Sequence, residues 1–162
     1  MRESPRYCAR NLGFCAVLTA ILLASAGCTV RFIGGYDEQT DNAVTALQQK
    51  VDGFLIRLEG LEDSSDCTYE HHKTFYEQVK VDVSGIQVRA AAKPNNSITL
   101  KQIELLSSSL DSLEQLHKLK SRKPAGSNCL SKDEIEPLRQ NMNTSFTAIL
   151  KLELAKKRGA AK

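Results

Sequence analysis

The stretch Val44-Thr-Ala-Leu47-Gln-Gln-Lys-Val51-Asp-Gly-Phe54-Leu-Ile-Arg-Leu58-Glu-Gly-Leu61 decides the fold. Its apolar residues at 44, 47, 51, 54, 58 and 61 step alternately by three and four. That spacing lines one face of an α-helix and fits no strand, whose faces repeat every second residue. The spacing predicts a first helix over 38–58, with Asp37 as an N-cap whose carboxylate accepts first-turn backbone N–H groups, and Gly60 as the stop.

The same pattern recurs three more times downstream. A polar connector, Glu62-Asp-Ser-Ser-Asp66, precedes a second helix expected over 67–92, with a seam of His72, Tyr76, Val79, Val83, Ile86 and Ala90. Phe75 widens that seam. Gly85 within it weakens the helix by about 1 kcal/mol and is read as a mark of close helix crossing. Asp82 and Arg89 flank the seam and are expected either to pair with neighbouring helices or to face water. Pro94 ends the segment, because proline pushes its predecessor out of helical geometry.

A third helix is expected from Thr99, where Thr99-x-x-Gln102 resembles a capping box, to Lys120. Its seam is Ile103, Leu106, Leu110, Leu113 and Leu116 or His117. After a loop rich in Lys, Pro, Gly and Ser, Ser131-x-x-Glu134 gives a second capping box. It opens a fourth helix expected to reach Arg158 and to end at Gly159, with Ile135, Leu138, Met142, Phe146, Ile149 and Leu150 inward. Pro137, just past the first turn, removes one hydrogen bond and is expected to bend or tighten the start.

Four striped helices with short connectors predict an all-α fold, an antiparallel up-down-up-down four-helix bundle over 37–159. The rival is a pair of long coiled-coil-like hairpins that closes its core only as a dimer. Few aromatic residues, no Trp and abundant Leu, Ile and Val fit aliphatic helix packing. In such a bundle the first and third connectors lie at one end. Cys67 and Cys129 border those connectors, so a disulfide between them is expected. The plainer alternative is two unrelated thiols.

Upstream of the bundle the chain changes character. Arg2, Arg6 and Arg10 precede an apolar run from Leu12 to Ala24, too short to remain across a bilayer. Leu22-Leu-Ala-Ser-Ala-Gly-Cys28 closes it, and this resembles the lipobox of bacterial lipoproteins. Ser25 stands third before the cysteine, where the commonest pattern has Leu. The resemblance implies that residues 1–27 are a cleaved signal peptide and that Cys28 is the lipidated residue, acylated through its thiol and its new amino terminus. Residues 28–36 would be a lipid anchor and tether, made flexible by Gly34 and Gly35, and 160–162 a C-terminal tail. By the same resemblance the second mature residue directs sorting. Thr29 is not the aspartate that retains such proteins at the inner membrane, so the outer membrane, facing the periplasm, is the expected address. In that oxidising compartment a disulfide persists.

The formal charge of +3 shrinks on this reading, since the removed segment holds three Arg against Glu3. A nearly neutral body has no field to draw in nucleic acid. Lys156, Lys157, Arg158 and Lys162 lie where the fourth helix returns towards the membrane. They are expected either to touch anionic headgroups or simply to complement the helix C-terminus.

Chemistry-bearing patterns are sparse. His71 and His72 diverge by about 100 degrees on a helix and cannot share an ion from one face. Glu70, Cys67 and His117 lack metal-ligand spacing, so no metal site is assigned. A haem axial pair from His72 and Met142 lacks a Cys-x-x-Cys-His attachment sequence. No Ser-His-Asp order, glycine-rich phosphate loop or paired carboxylate in an apolar pocket is read from the sequence, so no catalytic residue and no cofactor is expected. The expected function is that of a membrane-anchored, non-catalytic binding or scaffold module for an envelope protein partner. The alternative is a small-molecule or metal carrier using the interior around His72, Met142 and His117. Self-association through a helix face stays open.

Overall fold

The computed structural model describes residues 33–160, apart from 63 and 124–127. The segment read as a signal peptide, with Cys28 and Thr29, and Lys162 at the other end therefore lie outside the described residues. Four α-helices follow in order: α1 (Glu38–Glu59), α2 (Tyr69–Ala91), α3 (Ser97–Ser121) and α4 (Lys132–Ala160), with a short 3₁₀ turn, Ser65–Cys67, before α2. The described residues contain no strand, and no helix among them is long and apolar enough to cross a membrane. Each helix packs along the next, and α4 closes the ring against α1. This is an antiparallel four-helix bundle.

The seams read from the sequence form the core. Val44, Leu47, Val51, Phe54 and Leu58 of α1 are buried with Tyr76, Val79, Val83, Ile86 and Ala90 of α2. Ile103, Leu106, Leu110 and Leu113 of α3 meet Ile135, Met142, Phe146 and Ile149 of α4 in the same core. Burying an aliphatic side chain of this size contributes about 1.5–3 kcal/mol, so the stripes alone make this arrangement preferable to separated helices.

Several terminal features differ from expectation, each for a visible reason. Asp37 does precede α1, but its carboxylate makes no capping bond, because a guanidinium and a hydroxyl take its oxygens instead. The helix α2 begins at Tyr69 rather than Cys67, since the 3₁₀ turn occupies the residues before it. Thr99 is not a cap. The helix starts two residues earlier, at Ser97, and Thr99 is buried inside its first turn. At Ser131 half of the box is present: the Glu134 carboxylate accepts from the Ser131 N–H at 3.0 Å. The seryl oxygen, however, donates to that same carboxylate. The helix α4 runs unbroken through the exposed Pro137 and continues past Gly159 to Ala160. Gly85 marks no close crossing, because a Cβ there would meet nothing within 4 Å.

Gly34 departs from the flexible tether in a more useful way. Its N–H donates to the Asn95 carbonyl at 2.8 Å, and a Cβ on it would stand 2.8 Å from the Pro94 oxygen. Only glycine fits so close to that backbone. Asn95 itself sits at φ 56°, the left-handed conformation that Asn tolerates and that reverses the chain between α2 and α3. The segment entering the bundle is thus pinned to the α2–α3 connector before α1 begins.

Candidate functional site: two polar ends of one bundle

The end that receives the chain is organised by charge. Asp37 is 7% exposed and takes the Arg89 guanidinium through both oxygens, at 2.5 and 2.7 Å. Thr40 donates to the same carboxylate at 2.7 Å, and Lys93 stands 3.7 Å away. The paired guanidinium, chiefly, holds the Asp37 carboxyl well below the usual carboxylate range. This bidentate pair connects the start of α1 to the end of α2. Asp82, the other flanking residue, pairs with Lys50 of α1.

Beside it lies a deeper cluster. Lys156 donates to Asn96 Oδ1 at 2.6 Å, Thr99 Oγ1 at 2.7 Å and Glu153 Oε1 at 2.5 Å. An ammonium has three protons, and all three are used. The side chains of Lys156 and Glu153 are 2% and 1% exposed, so the pair is out of water. Asn96 in turn donates to the Ala90 carbonyl. Glu153 Oε2 is buried without a hydrogen-bond partner among the described residues. Lys156 therefore does not present its charge outwards as its position in a basic C-terminal run suggested. Lys157 instead covers the Tyr36 ring at 5.0 Å.

The opposite end is organised by rings and sulfur. Cys67 and Cys129 are joined in a disulfide with Cα atoms 5.4 Å apart, linking the approach to α2 with the approach to α4. The Phe54 ring stacks on Phe75 and meets His72 and Tyr76 edge-on. His117, fully buried, is fixed at both nitrogens. Nε2 lies 2.7 Å from the Cys67 carbonyl and Nδ1 lies 2.9 Å from the Tyr76 hydroxyl. A carbonyl only accepts, so Nε2 carries the hydrogen and Nδ1 accepts from the Tyr76 O–H. Burial lowers the His117 pKa and raises that of Tyr76, which keeps both neutral. Burial also lowers the pKa of His72, whose Nε2 has no hydrogen-bond partner among the described residues.

Glu114 finishes this end. Its buried carboxylate accepts from Tyr69 at 2.9 Å and pairs with Lys80 at 2.5 Å and Lys118 at 2.7 Å. Burial opposes its ionisation, but the two ammonium groups and the phenol prevail and bring its pKa down to about 2. Ser121 bridges the helix ends, accepting from the Tyr69 N–H and donating to the His117 carbonyl.

Of the residues singled out in the sequence, the structure brings Cys67 to Cys129, and sets the His72 and His117 rings 5.9 Å apart. The Cys67 and Cys129 sulfurs are taken up by the disulfide and both His117 nitrogens are engaged, whereas His72 Nε2 has no hydrogen-bond partner among the described residues. Among the described residues no group of three or more His, Cys, Asp or Glu is placed to hold a metal ion. The residues missed by sequence reasoning are Glu153, Asn96 and Glu114. A charged residue on an apolar seam was the available signal, since Glu153 falls four residues beyond Ile149. No family model, curated protein or solved structure matches the chain.

Proposed function

We propose that this chain is a lipid-anchored envelope protein that works as a non-catalytic binding or scaffold module. The observation that carries the reading is the fate of its buried reactive groups. The His117 nitrogens, the Lys156 ammonium, the Glu114 carboxylate and the two bundle cysteines each have an internal partner, and each spans different helices or connectors. Groups used in this way set the shape of the bundle and offer little to a substrate. Function is then exercised by surfaces. The anchor comes from the lipobox-like segment ending at Cys28. With the chain entering beside Asn95, the charged end of the bundle would face the outer membrane and the disulfide end would point into the periplasm.

Metabolic labelling with an alkyne fatty acid, followed by membrane fractionation and intact mass measurement, tests both halves of this reading. The expected result is a labelled chain beginning at Cys28, with no bound metal or cofactor in native spectra. Cys28→Ser should lose the label and leave the membrane fraction. An unlabelled wild-type chain retaining residue 1 overturns the anchor. A stoichiometric metal or small molecule overturns the scaffold in favour of a carrier.

A further inference from the structure

The end of the bundle that receives the chain has a one-sided charge. Gly34 is bonded to Asn95, which sets 33–36 against the α2–α3 connector. Lys156 reaches Asn96 and Thr99, which brings the last turn of α4 to the same level. Together residues 33–36, 91–98 and 154–160 hold Lys93, Lys156, Lys157 and Arg158, and no carboxylate. The acids just behind them, Asp37 and Glu153, are buried and paired with Arg89 and Lys156. Asp41 takes the Tyr36 hydroxyl, which leaves Glu38 as the exposed acid of that turn.

The cations are less well matched. Arg158 is exposed and makes no ion pair among the described residues. Lys157 lies over the Tyr36 ring, which leaves its charge intact. Lys93 stands 3.7 Å from Asp37, whose two oxygens the Arg89 guanidinium already holds. The opposite end carries both signs, with Asp66, Glu70 and Asp133 exposed as well as Arg122 and Lys123. Two large apolar side chains add to the chain-entry end, Ile33 and Ile98, 45% and 51% exposed. Cations with isoleucines beside them suit a layer that is anionic at its surface and apolar just beneath. A nucleic acid would answer the charge and leave the isoleucines in water.

The path of the chain gives that layer a source. Gly34 is fixed to the connector, so under the lipid-anchored reading above the slack from Cys28 is about 20 Å at full extension. The chain-entry end is then confined within reach of headgroups. There each basic residue strengthens binding to an anionic surface about fivefold, an effect that fades over about 8 Å at physiological salt. We infer that the chain-entry end is a lipid-contacting surface, with Lys93, Lys157 and Arg158 on the phosphates of an anionic phospholipid bilayer and Ile33 and Ile98 among its headgroups. The inference rests on the anchored reading for the nearness of the bilayer. It holds the bundle upright, with the disulfide end away from the lipid, where a slack tether alone would leave its attitude free.

The test uses the full chain, purified from membranes and reconstituted into phosphatidylcholine vesicles with or without phosphatidylglycerol. Lysines are acetylated briefly with a membrane-impermeant ester and read by mass spectrometry, with fatty-acid labelling scored on the same preparation. Modification of Lys93 and Lys157 is expressed relative to Lys132, exposed at the opposite end, so that molecules facing the vesicle lumen cancel. The expected result is a ratio that falls about fivefold or more when phosphatidylglycerol is present and recovers in high salt. At Lys93 the fall should vanish when Arg158→Glu and Ile98→Glu, both at exposed positions, are combined. A labelled chain whose ratio ignores phosphatidylglycerol overturns the contact and leaves the anchor. A fall that persists in the double variant places the contact elsewhere and overturns the surface. An unlabelled chain whose ratio falls upholds the surface and overturns the anchor. Neither label nor fall overturns both.

Discussion

The two ends of this bundle solve one problem with different chemistry. At the chain-entry end the Asp37–Arg89 ion pair ties the start of α1 to α2, and Glu153 and Lys156, paired within α4, reach Asn96 and Thr99 at the start of α3. At the other end a covalent bond, stacked rings and a neutral histidine carry most of the work, beside one buried carboxylate, Glu114, paired with Lys80 and Lys118. The contrast concerns what each end can tolerate. A disulfide limits the unfolded chain and asks little of the folded one. A buried ion pair limits the folded state, because losing either member strands a charge out of water. The first device is sensitive to reductant and the second to substitution.

The largest expected effect breaks the covalent end. Cys67 and Cys129 are separated by 62 residues, and closing a loop of that size stabilises by about 4 kcal/mol in the chain-entropy model. Reduction, or Cys67→Ala with Cys129→Ala, should lower the denaturant midpoint and steepen the slope of the transition, because the freed unfolded chain exposes more surface. Denaturant titration followed by circular dichroism with and without reductant checks this. An unchanged midpoint would show that the rings and His117 hold this end unaided.

Next comes the charged end. Lys156→Met leaves the Glu153 carboxylate buried among Thr99 and Asn96 without its cation, at a cost of roughly 3 kcal/mol. Adding Glu153→Leu should return most of that loss, since apolar residues of similar volume often replace a buried pair with little penalty. A double-mutant cycle read by the same unfolding titration decides it. If Lys156→Met alone proves neutral, the cluster is not the clamp described here.

Most of the fold was legible in the sequence because packing imposes a period of 3.6, and the seams at 44–58, 76–90, 103–113 and 135–149 carry little else. The disulfide followed from topology once the bundle was drawn. The helix ends were less legible, for an electrostatic reason. Asp37 and Thr99 have the side chains of caps, and whether such a group turns to its own backbone or to a guanidinium depends on residues more than fifty positions away. Gly34 was misread for the same reason: its role depends on the Asn95 carbonyl, and a glycine in a loop looks like freedom until a backbone is found against it. Lys156 looked like one of four basic tail residues. Only the approach of Asn96 and Thr99 from another helix separates it from Lys157.

Acidification distinguishes the ends by where each begins to fail. His117 and His72 have folded pKa values below the ordinary 6.5, lowered by burial. The unfolded chain therefore binds protons more readily, and the stability these residues confer is complete above about 6.5 and declines as the pH falls towards their folded values. Asp37 is also depressed, from 3.8, but as a carboxylate. Its contribution is intact above that value and is lost only below it, as the pH falls through the lower folded value. Glu114 behaves likewise between 4.5 and about 2. Between pH 6.5 and 4.5 the ring end should loosen while the charged end holds. Hydrogen exchange across that range should show amides of 69–76 and 113–121 losing protection before those of 40–47 and 86–91. A His117→Gln variant, whose amide can donate to the Cys67 carbonyl but gains no charge, should flatten the change at the ring end and leave the other end as it was. Simultaneous loss at both ends would mean that the bundle opens as one cooperative unit and that its two ends differ in construction alone.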